Sequence, residues 1–228
     1  MVNEVVAALK CQNGGWYVDG TLGLGGYARR ILEASAPNGI VIGCDVDPDA
    51  LEIAQKNLRE FGSRLVAVRG SYADLPNILK KVFHSRTCGG EGGTLTALPG
   101  GGATRAPITV DGICIDIGVS SLQIDTDARG FSFQKEGPLD MRMNPDIPRT
   151  AADLVNDSGA DELAKWFWEY GEERFSRKIA AALVGERSRR PFSTTIELAE
   201  CVKGAVPRAA RYGRIHPATR VFQALRIA

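Results

Sequence analysis

The sequence predicts an α/β fold in which a parallel sheet is followed by an all-helical region. Three observations support this prediction. Apolar runs typical of buried strands alternate with segments of helical spacing in the first half of the chain. Acidic residues stand at the ends of several of these runs, where parallel sheets bind their ligands. From Thr150 onward the apolar spacing is helical, and Thr194 with Glu197 has the pattern of a helix-capping box.

A glycine-rich segment follows the first predicted strand. Tyr17 and Val18 suit a buried strand, and four glycines stand within the seven residues from Gly20 to Gly26. Glycine permits a close approach of the backbone, and helical spacing resumes at Ala28. The segment therefore predicts a strand, a tight turn and a helix that hold a nucleotide-like ligand against bare backbone.

The ligand of this loop is ambiguous from the loop alone. Gly23, Gly25 and Ala28 match a relaxed dinucleotide-binding fingerprint, but the same geometry serves S-adenosylmethionine in methyltransferases. A purely structural turn has the same pattern. Asp19 favours the methyl donor, because a carboxylate at the strand end repels a pyrophosphate and attracts the cationic amine and sulfonium of S-adenosylmethionine.

Three further strands are predicted, over residues 40–44, 64–69 and 110–118. Asp45 follows the second strand about 20 residues after the loop, the position that binds ribose hydroxyls in doubly wound folds. Tyr72 follows the third strand, where it can lie against an adenine ring or be a half-buried loop aromatic. Asp116 lies in the fourth. We expect Asp19, Asp45 and Asp116 to converge on one edge of the sheet.

Local signals predict helices and an insertion between these strands. Residues 2–9 have the spacing of a short amphipathic helix. Asp47 followed by Pro48 predicts the capped start of a helix that ends at Gly62. Residues 85–107 are rich in glycine and predict a flexible surface insertion, because they cannot bury enough apolar surface to order themselves.

Composition excludes several classes of protein. No run is long and apolar enough to span a membrane, and the first ten residues lack the features of a secretory signal, so we expect a cytoplasmic protein without membrane partners. Five scattered cysteines without a Cys-x-x-Cys pair argue against a zinc knuckle and a disulfide framework, and we expect no bound metal. The net charge is +1, but residues 171–228 carry +7 and residues 1–170 carry −6. The basic end is a candidate polyanion-binding surface or an ordinary solvated helical face.

Longer motifs carry a specific resemblance to a known family. They are Asp-Ile-Gly-Val-Ser-Ser-Leu-Gln-Ile-Asp at 116–125, Arg-Gly-Phe-Ser-Phe at 129–133, Gly-Pro-Leu-Asp-Met-Arg-Met at 137–143, Tyr-Gly-Glu-Glu-Arg at 170–174, and residues 216–226 from His216 to Arg226. Through these motifs the chain closely resembles the small-subunit ribosomal RNA cytosine-N4 methyltransferases. The likeness covers nearly the whole chain apart from the glycine-rich insertion.

The resemblance implies a class I, Rossmann-like methyltransferase that uses S-adenosylmethionine. Its product would be N4-methylcytidine in the 16S RNA of the small ribosomal subunit, near the decoding centre. The family's donor contacts fall on Gly25, Gly26, Tyr27, Asp45, Tyr72, Asp116 and Gln123. Asp116, or backbone carbonyls near it, is the candidate catalytic acceptor for the cytosine amino group. The candidate substrate contacts are Arg129, Phe131, Phe133, Asp140 and Arg142, unless these belong to a structural loop.

The resemblance also implies domain boundaries. Residues 1–124 form the donor-binding α/β domain, residues 125–215 an inserted helical domain for substrate recognition, and residues 216–228 the start of a return to the α/β domain. Tyr27 stands where the family usually has histidine. The family's last sheet strands would follow residue 228, so we expect a truncated sequence in which an apolar strand edge is exposed.

Two other functions remain open at this stage. An NAD-dependent oxidoreductase would share the glycine loop and Asp45, although no hydride-transfer site is recognised. A noncatalytic RNA-binding or ribosome-assembly factor would retain the fold. The oligomeric state is undetermined, and a mitochondrial or plastid location is the alternative to the cytoplasm.

Overall fold

The computed structural model describes residues 2–88 and 109–228. The chain divides into two compact units, Met1–Gly118 and Val119–Ala228. Most of the insertion predicted at 85–107 lies outside the described residues. Its first four positions belong instead to the end of a helix that runs from Leu75 to Cys88.

The first unit contains a parallel sheet of four strands in the order β3-β2-β1-β4. The strands are β1 (Trp16–Asp19), β2 (Ile40–Asp45), β3 (Leu65–Arg69) and β4 (Gly112–Cys114). The helices are α1 (Val2–Leu9), α2 (Gly26–Ala34), α3 (Pro48–Asn57) and α4 (Leu75–Cys88), with 3-10 turns at Arg59–Arg64 and Tyr72–Asp74. The predicted α/β fold with a Rossmann-like parallel sheet is confirmed.

The two faces of the sheet bury separate apolar clusters, because successive strand side chains point to opposite faces. Tyr17 and Val41 pack with Ile31 and Leu32 of α2. Val18, Ile42 and Cys44 pack with α4 on the other face, against Leu75, Ile78 and Val82. Helices therefore cover both faces, which explains why β1 and β2 read as continuous apolar runs.

The strand register brings the carboxyl ends of the four strands to one edge. Asp19 is paired with Gly43 of β2 and with Cys114 of β4, and Asp45 is paired with Arg69 of β3. The loops that follow the strands start from this edge. In parallel sheets this is the side on which ligands bind.

Two predicted elements are shorter in the structure. The fourth strand was expected over residues 110–118 but pairs only at Gly112–Cys114, because β1 is its one partner among the described strands and the chain leaves the sheet after Cys114. Ile115 and Ile117 beyond it are exposed. The helix expected to reach Gly62 ends at Asn57, and a 3-10 turn with Gly62 at a φ of 54° continues the chain.

The second unit is helical. Its helices are α5 (Ser121–Asp125), α6 (Ala151–Asp157), α7 (Ala160–Glu169), α8 (Ser176–Arg187), α9 (Thr195–Ala205), α10 (Arg208–Arg211) and α11 (Ala218–Ile227), with a 3-10 turn at Asp127–Arg129. Leu163, Phe167, Ile179, Leu183 and Leu198 form the centre of its core. The predicted capping box of Thr194 with Glu197 is present on α9, and Thr150 caps α6 at the point where the helical spacing begins.

The structure divides the units at Gly118 rather than at residue 124, and it places residues 216–228 in the helical unit. The reason is the apolar face of α11, where Val221, Phe222 and Leu225 are buried in the core of that unit. Just before this helix, Nδ1 of His216 accepts a hydrogen bond from the Ala218 amide at 3.2 Å. No helix among residues 2–88 and 109–228 is long and apolar enough to cross a membrane.

Candidate functional site

The glycine-rich loop after β1 folds over the ends of the neighbouring strands. The Gly20 amide donates to the Cys114 carbonyl at 2.9 Å, and the Leu22 amide donates to the Cys44 carbonyl at 2.8 Å. The Gly23 amide donates to Oδ2 of Asp45 at 2.8 Å. These hydrogen bonds tie the loop to β2 on one side and to β4 on the other.

The glycines of the loop have different roles. A Cβ placed on Gly20 would lie 3.0 Å from Cγ1 of Ile115 and 3.2 Å from Cβ of Tyr72, so Gly20 permits the segments after β3 and β4 to approach the loop. Gly25 has a φ of 88°, and a Cβ on it would lie 2.7 Å from Cδ1 of Leu58. A Cβ on Gly26 would meet no atom within 4 Å. The backbone at Gly26 therefore borders open space at the start of α2.

Asp45 is fixed at the end of β2 by two amides. Besides the bond from Gly23, its Oδ1 accepts a hydrogen bond from the Asp47 amide at 3.0 Å. Asp47 itself is buried and caps α3 by accepting from the Asp49 amide at 3.1 Å, as the sequence predicted. Because each carboxylate oxygen has two lone pairs, Asp45 retains acceptor capacity for a hydroxyl-bearing ligand.

Asp19 lies at the end of β1 with no exposed surface. Its Oδ1 accepts from the Thr21 amide at 3.2 Å, whereas Oδ2 has no hydrogen-bond partner of ordinary geometry within the described part of the chain. Burial raises the pKa of Asp19 to about 6, against the effect of the Thr21 and Ala28 amides, and the negative charges of Asp45 and Asp116 add to the increase. The three predicted acids thus converge closely enough for their charges to interact.

Asp116 is exposed but is held at two points. Its backbone amide donates to Oγ1 of Thr21 at 2.8 Å. Its Oδ2 accepts a hydrogen bond from the Tyr27 hydroxyl at 3.2 Å. Desolvation and the charge of Asp116 both raise the pKa of the Tyr27 hydroxyl, so Tyr27 is a proton donor at neutral pH.

The structure brings together six of the predicted donor contacts: Gly25, Gly26, Tyr27, Asp45, Tyr72 and Asp116. Tyr72 is 40% exposed at the edge of the sheet, with its Cβ close to Gly20. Sequence reasoning missed Thr21, which donates its amide to Asp19 and accepts from the Asp116 amide. A hydroxyl residue two positions after the acid, between Gly20 and Gly23, was the available signal for it. No group of metal-ligating side chains occurs among the described residues.

A family profile described as the MraW methylase family matches residues 1–228 of this sequence. The chain belongs to the MraW methylase family. The family membership predicted from the sequence motifs is therefore confirmed.

Curated relatives of this methylase-family chain share the name "Ribosomal RNA small subunit methyltransferase H". The one from Geobacter sulfurreducens is 48% identical over 228 residues, which are 100% of this chain and 66% of the relative. Those from Syntrophobacter fumaroxidans and Geotalea uraniireducens are 46% identical over 228 residues. The matched residues are 100% of this chain and 64% and 66% of the two relatives, respectively. The chain thus spans slightly less than two thirds of the length of these relatives.

One solved structure has a weak likeness to this chain. A chain from Clostridium thermocellum is 20% identical, with a TM-score of 0.31 over 33% of this chain and 43% of that one. This similarity is too low to support a functional conclusion.

Gln123 of this methylase-family chain lies in the second unit and is buried. Its Oε1 accepts from the Ser120 amide at 3.1 Å, and its own amide donates to Oγ of Ser120 at 3.3 Å. The two residues form a capping box at the start of α5. A contact between Gln123 and a methyl donor stays a prediction.

The candidate substrate contacts also lie in the second unit, and all have internal partners. Asp140 and Arg142 form a two-point ion pair, with Nε–Oδ1 and Nη2–Oδ2 distances of 2.8 Å. Arg129 donates to the Arg142 carbonyl at 3.1 Å. Phe131 is buried, and the Phe133 ring lies 4.9 Å from that of Phe222. These contacts organise the segment before α6, so they support the structural alternative, and substrate binding by these residues stays a prediction.

Proposed function

We propose that this chain is an S-adenosylmethionine-dependent methyltransferase that methylates N4 of a cytidine in the RNA of the small ribosomal subunit, near the decoding centre. Membership of the MraW methylase family and the name shared by its relatives support methylation of small-subunit ribosomal RNA. The motifs at 116–125 and 216–226 support the cytosine-N4 specificity through the resemblance that they carry.

The observation that carries the proposal is the convergence of three carboxylates around the glycine loop. Asp19 has a buried oxygen without a partner among the described residues, and Asp45 and Asp116 are close enough to influence its charge. A ligand with a cationic end and a ribose complements these three carboxylates, which attract positive charge and accept hydrogen bonds from hydroxyls. A dinucleotide would bring its negatively charged pyrophosphate against the same three acids, which Coulomb repulsion disfavours.

Each residue of the site has a role in holding the donor. Asp45 would accept hydrogen bonds from the ribose hydroxyls, and Tyr72 would offer a ring face to the adenine. Asp19 would balance the positive charge at the methionine end, and Gly26 leaves open space beside the backbone of α2. When bound, S-adenosylmethionine supplies a methyl group activated by its attachment to a sulfonium.

Asp116 is the candidate catalytic residue. The lone pair of a cytosine amino group is delocalised into the ring, so the nitrogen is a poor nucleophile. An oriented carboxylate near that amino group can accept a hydrogen bond from it and stabilise the positive charge that develops on it. Thr21 and Tyr27 restrict where the Asp116 carboxylate lies. The RNA must present the target base unpaired or flipped out of its helix.

The proposal is tested by methyl transfer into isolated small ribosomal subunits that lack the modification. The donor carries a labelled methyl group, and the RNA is digested to nucleosides and analysed by mass spectrometry. We expect label in N4-methylcytidine with the wild-type chain and none with Asp116→Ala. Asp49→Ala, which removes an exposed carboxylate from the first turn of α3, is the matched control and should leave the yield unchanged. Label in another nucleoside, or in none, would contradict the proposal.

A further inference from the structure

The second unit carries a groove of about 630 Å³ where the end of α7 meets the start of α8. Its lining includes two aromatic side chains and four cationic ones: Trp168, Phe175, Lys165, Arg174, Arg177 and Lys178. All of these residues belong to one compact unit. Their arrangement is therefore set by the packing of the helical core.

Trp168 is 61% exposed, although its neighbours Leu163 and Phe167 on α7 are fully buried. The helix is amphipathic, and Trp168 lies outside its buried face. A large exposed ring has a substantial apolar surface that a planar partner can cover. The position of Trp168 in a concave surface rather than on an open helix face gives such a partner a defined place.

The cations around this ring have few internal partners. Lys165, Arg177 and Lys178 are exposed and form no ion pair with the acidic residues of the described chain, and the Arg174 guanidinium lies 4.9 Å above the Phe175 ring. Other basic residues of the same unit are committed to the fold. Arg187 donates to the Val155 carbonyl at 2.7 Å, and Arg211 donates to the Gly204 carbonyl at 2.9 Å. Asp161 is the single acid in the lining, so four cations face one carboxylate in the groove.

We propose that this groove binds single-stranded RNA, with a base stacked on Trp168 and phosphates held by the four surrounding cations. The proposal rests on the proposed function, for which RNA is the substrate, and it assigns to that RNA a second contact surface within the helical unit. Stacking on an aromatic ring needs a base whose face is accessible, which unpaired strands provide and duplexes do not. Cations alone would serve a duplex or an acidic peptide equally well, whereas the exposed indole favours the single strand.

The first test measures binding of a fluorescent ten-nucleotide oligocytidine RNA by anisotropy, in the absence of any methyl donor. Loss of base stacking costs about 1–3 kcal/mol, so Trp168→Ala should weaken the affinity roughly 5- to 150-fold. Tyr212→Ala is the matched control, because Tyr212 is a 79% exposed aromatic of the same unit outside the groove lining. It should leave the affinity unchanged.

The second test concerns the phosphate contacts. Each neutralised phosphate of a single strand contributes a slope of about −0.7 to the dependence of log affinity on log salt. The double substitution Arg177→Gln with Lys178→Gln should therefore flatten that slope by about 1.4. Lys80→Gln with Lys81→Gln removes two adjacent exposed cations from α4 and should change neither the slope nor the affinity.

Three outcomes would contradict the proposal that this groove binds single-stranded RNA. The first is an RNA affinity that Trp168→Ala does not change, and the second is an equal loss of RNA affinity in Tyr212→Ala. The third is displacement of the oligocytidine by polyglutamate, or by an RNA duplex of the same length, as effectively as by unlabelled oligocytidine. Because the measurement needs no donor, its failure is distinct from failure of the proposed function. Binding of S-adenosylmethionine without Trp168-dependent RNA binding would refute only the RNA-binding role of the groove. Trp168-dependent RNA binding without binding of S-adenosylmethionine would refute only the methyltransferase proposal.

Discussion

The hydroxyl of Tyr27 donates a hydrogen bond to Oδ2 of Asp116 at 3.2 Å, which joins the first turn of α2 to the segment after β4. Tyr27 stands where the resembling family usually has histidine. Both histidine and tyrosine can donate a hydrogen bond, so either side chain at position 27 has a donor for the Asp116 carboxylate. This pair connects the loop that would hold the donor to the carboxylate that would face the base.

Replacing Tyr27 by Phe should weaken binding of the methyl donor by about 3- to 10-fold. The substitution keeps the ring and removes a hydrogen bond worth about 1 kcal/mol, and Asp116 is then free to rotate. Isothermal titration with S-adenosylmethionine measures the effect. Tyr72→Phe is the control, because its proposed contact uses the ring face and not the hydroxyl. Equal affinities of the wild-type and Tyr27→Phe chains would show that the hydrogen bond does not position Asp116.

Two adjacent glycines should respond differently to the same substitution. Gly25→Ala forces an L-residue into a φ of 88° and a Cβ to within 2.7 Å of Leu58, so it should lower the free energy of unfolding by about 2 kcal/mol or more. Gly26→Ala meets no neighbour within 4 Å and should leave stability unchanged or slightly raised. Denaturant titrations compare the two.

The two glycine variants also test whether the methyl donor binds beside the start of α2. Since the space beside Gly26 is where we place the donor, Gly26→Ala should reduce donor affinity despite its normal stability. A stable Gly26→Ala chain that binds S-adenosylmethionine as tightly as the wild type would show that Gly26 does not border the bound donor.

Asp19 should make stability depend on pH. Its pKa rises from an ordinary value of 3.8 to about 6 in the folded chain, so the folded state binds the proton more tightly than the unfolded state does. The stabilisation is fully present below about pH 4 and is lost as pH rises through about 6, an effect of about 3 kcal/mol. Asp19→Asn carries no such charge. Its stability relative to wild type should therefore increase between pH 4 and pH 7.5.

Denaturant titrations at a series of pH values measure this difference, with Asp49→Asn as the exposed control. A difference in the free energy of unfolding between Asp19→Asn and wild type that stays constant across that range would show that burial does not raise the pKa of Asp19. Asp19→Asn should also lose more affinity for S-adenosylmethionine than for S-adenosylhomocysteine, because only the former carries a sulfonium charge.

Arg142 is predicted to stabilise the helical unit through its fork of donors. It pairs with both oxygens of Asp140 and donates to the Pro145 and Ile147 carbonyls at 3.0 and 2.8 Å. Arg142→Ala should reduce the free energy of unfolding by about 2–4 kcal/mol, and Arg142→Lys should restore only a small part, since an ammonium cannot replace the planar fork. Thermal unfolding followed by circular dichroism distinguishes them. An unchanged melting temperature in Arg142→Ala would show that Arg142 does not stabilise the helical unit.

Local signals explain which parts of the fold could be predicted. The cap at Asp47, the capping box at Thr194 and the buried runs of β1 and β2 depend on neighbouring residues, and the structure has all of them. Asp45 could be placed at the ligand-binding edge because the ends of parallel strands meet there. The paired length of β4 was overestimated, since an apolar run does not reveal how many of its residues have a partner strand.

Features that depend on distant packing were not predictable in the same way. Tyr27 and Asp116 are 89 positions apart, and no sequence pattern marks their hydrogen bond. Tyr170, which immediately follows α7, is 37% exposed, whereas Phe167 within the helix is fully buried. The burial of α11 in the helical unit likewise depends on the faces of helices that are remote in sequence.

The most direct test of the account is isothermal titration of the purified chain with S-adenosylmethionine, comparing wild type with Asp45→Ala. We expect saturable one-to-one binding that Asp45→Ala weakens by roughly 10- to 100-fold, through loss of hydrogen bonds to a charged group. Asp49→Ala is the matched control, and Tyr72→Ala is a second site variant with an exposed side chain, which keeps the test valid if Asp45→Ala unfolds. A folded wild-type chain that shows no saturable binding, or folded site variants that bind as tightly as wild type, would contradict the donor site at this edge of the sheet.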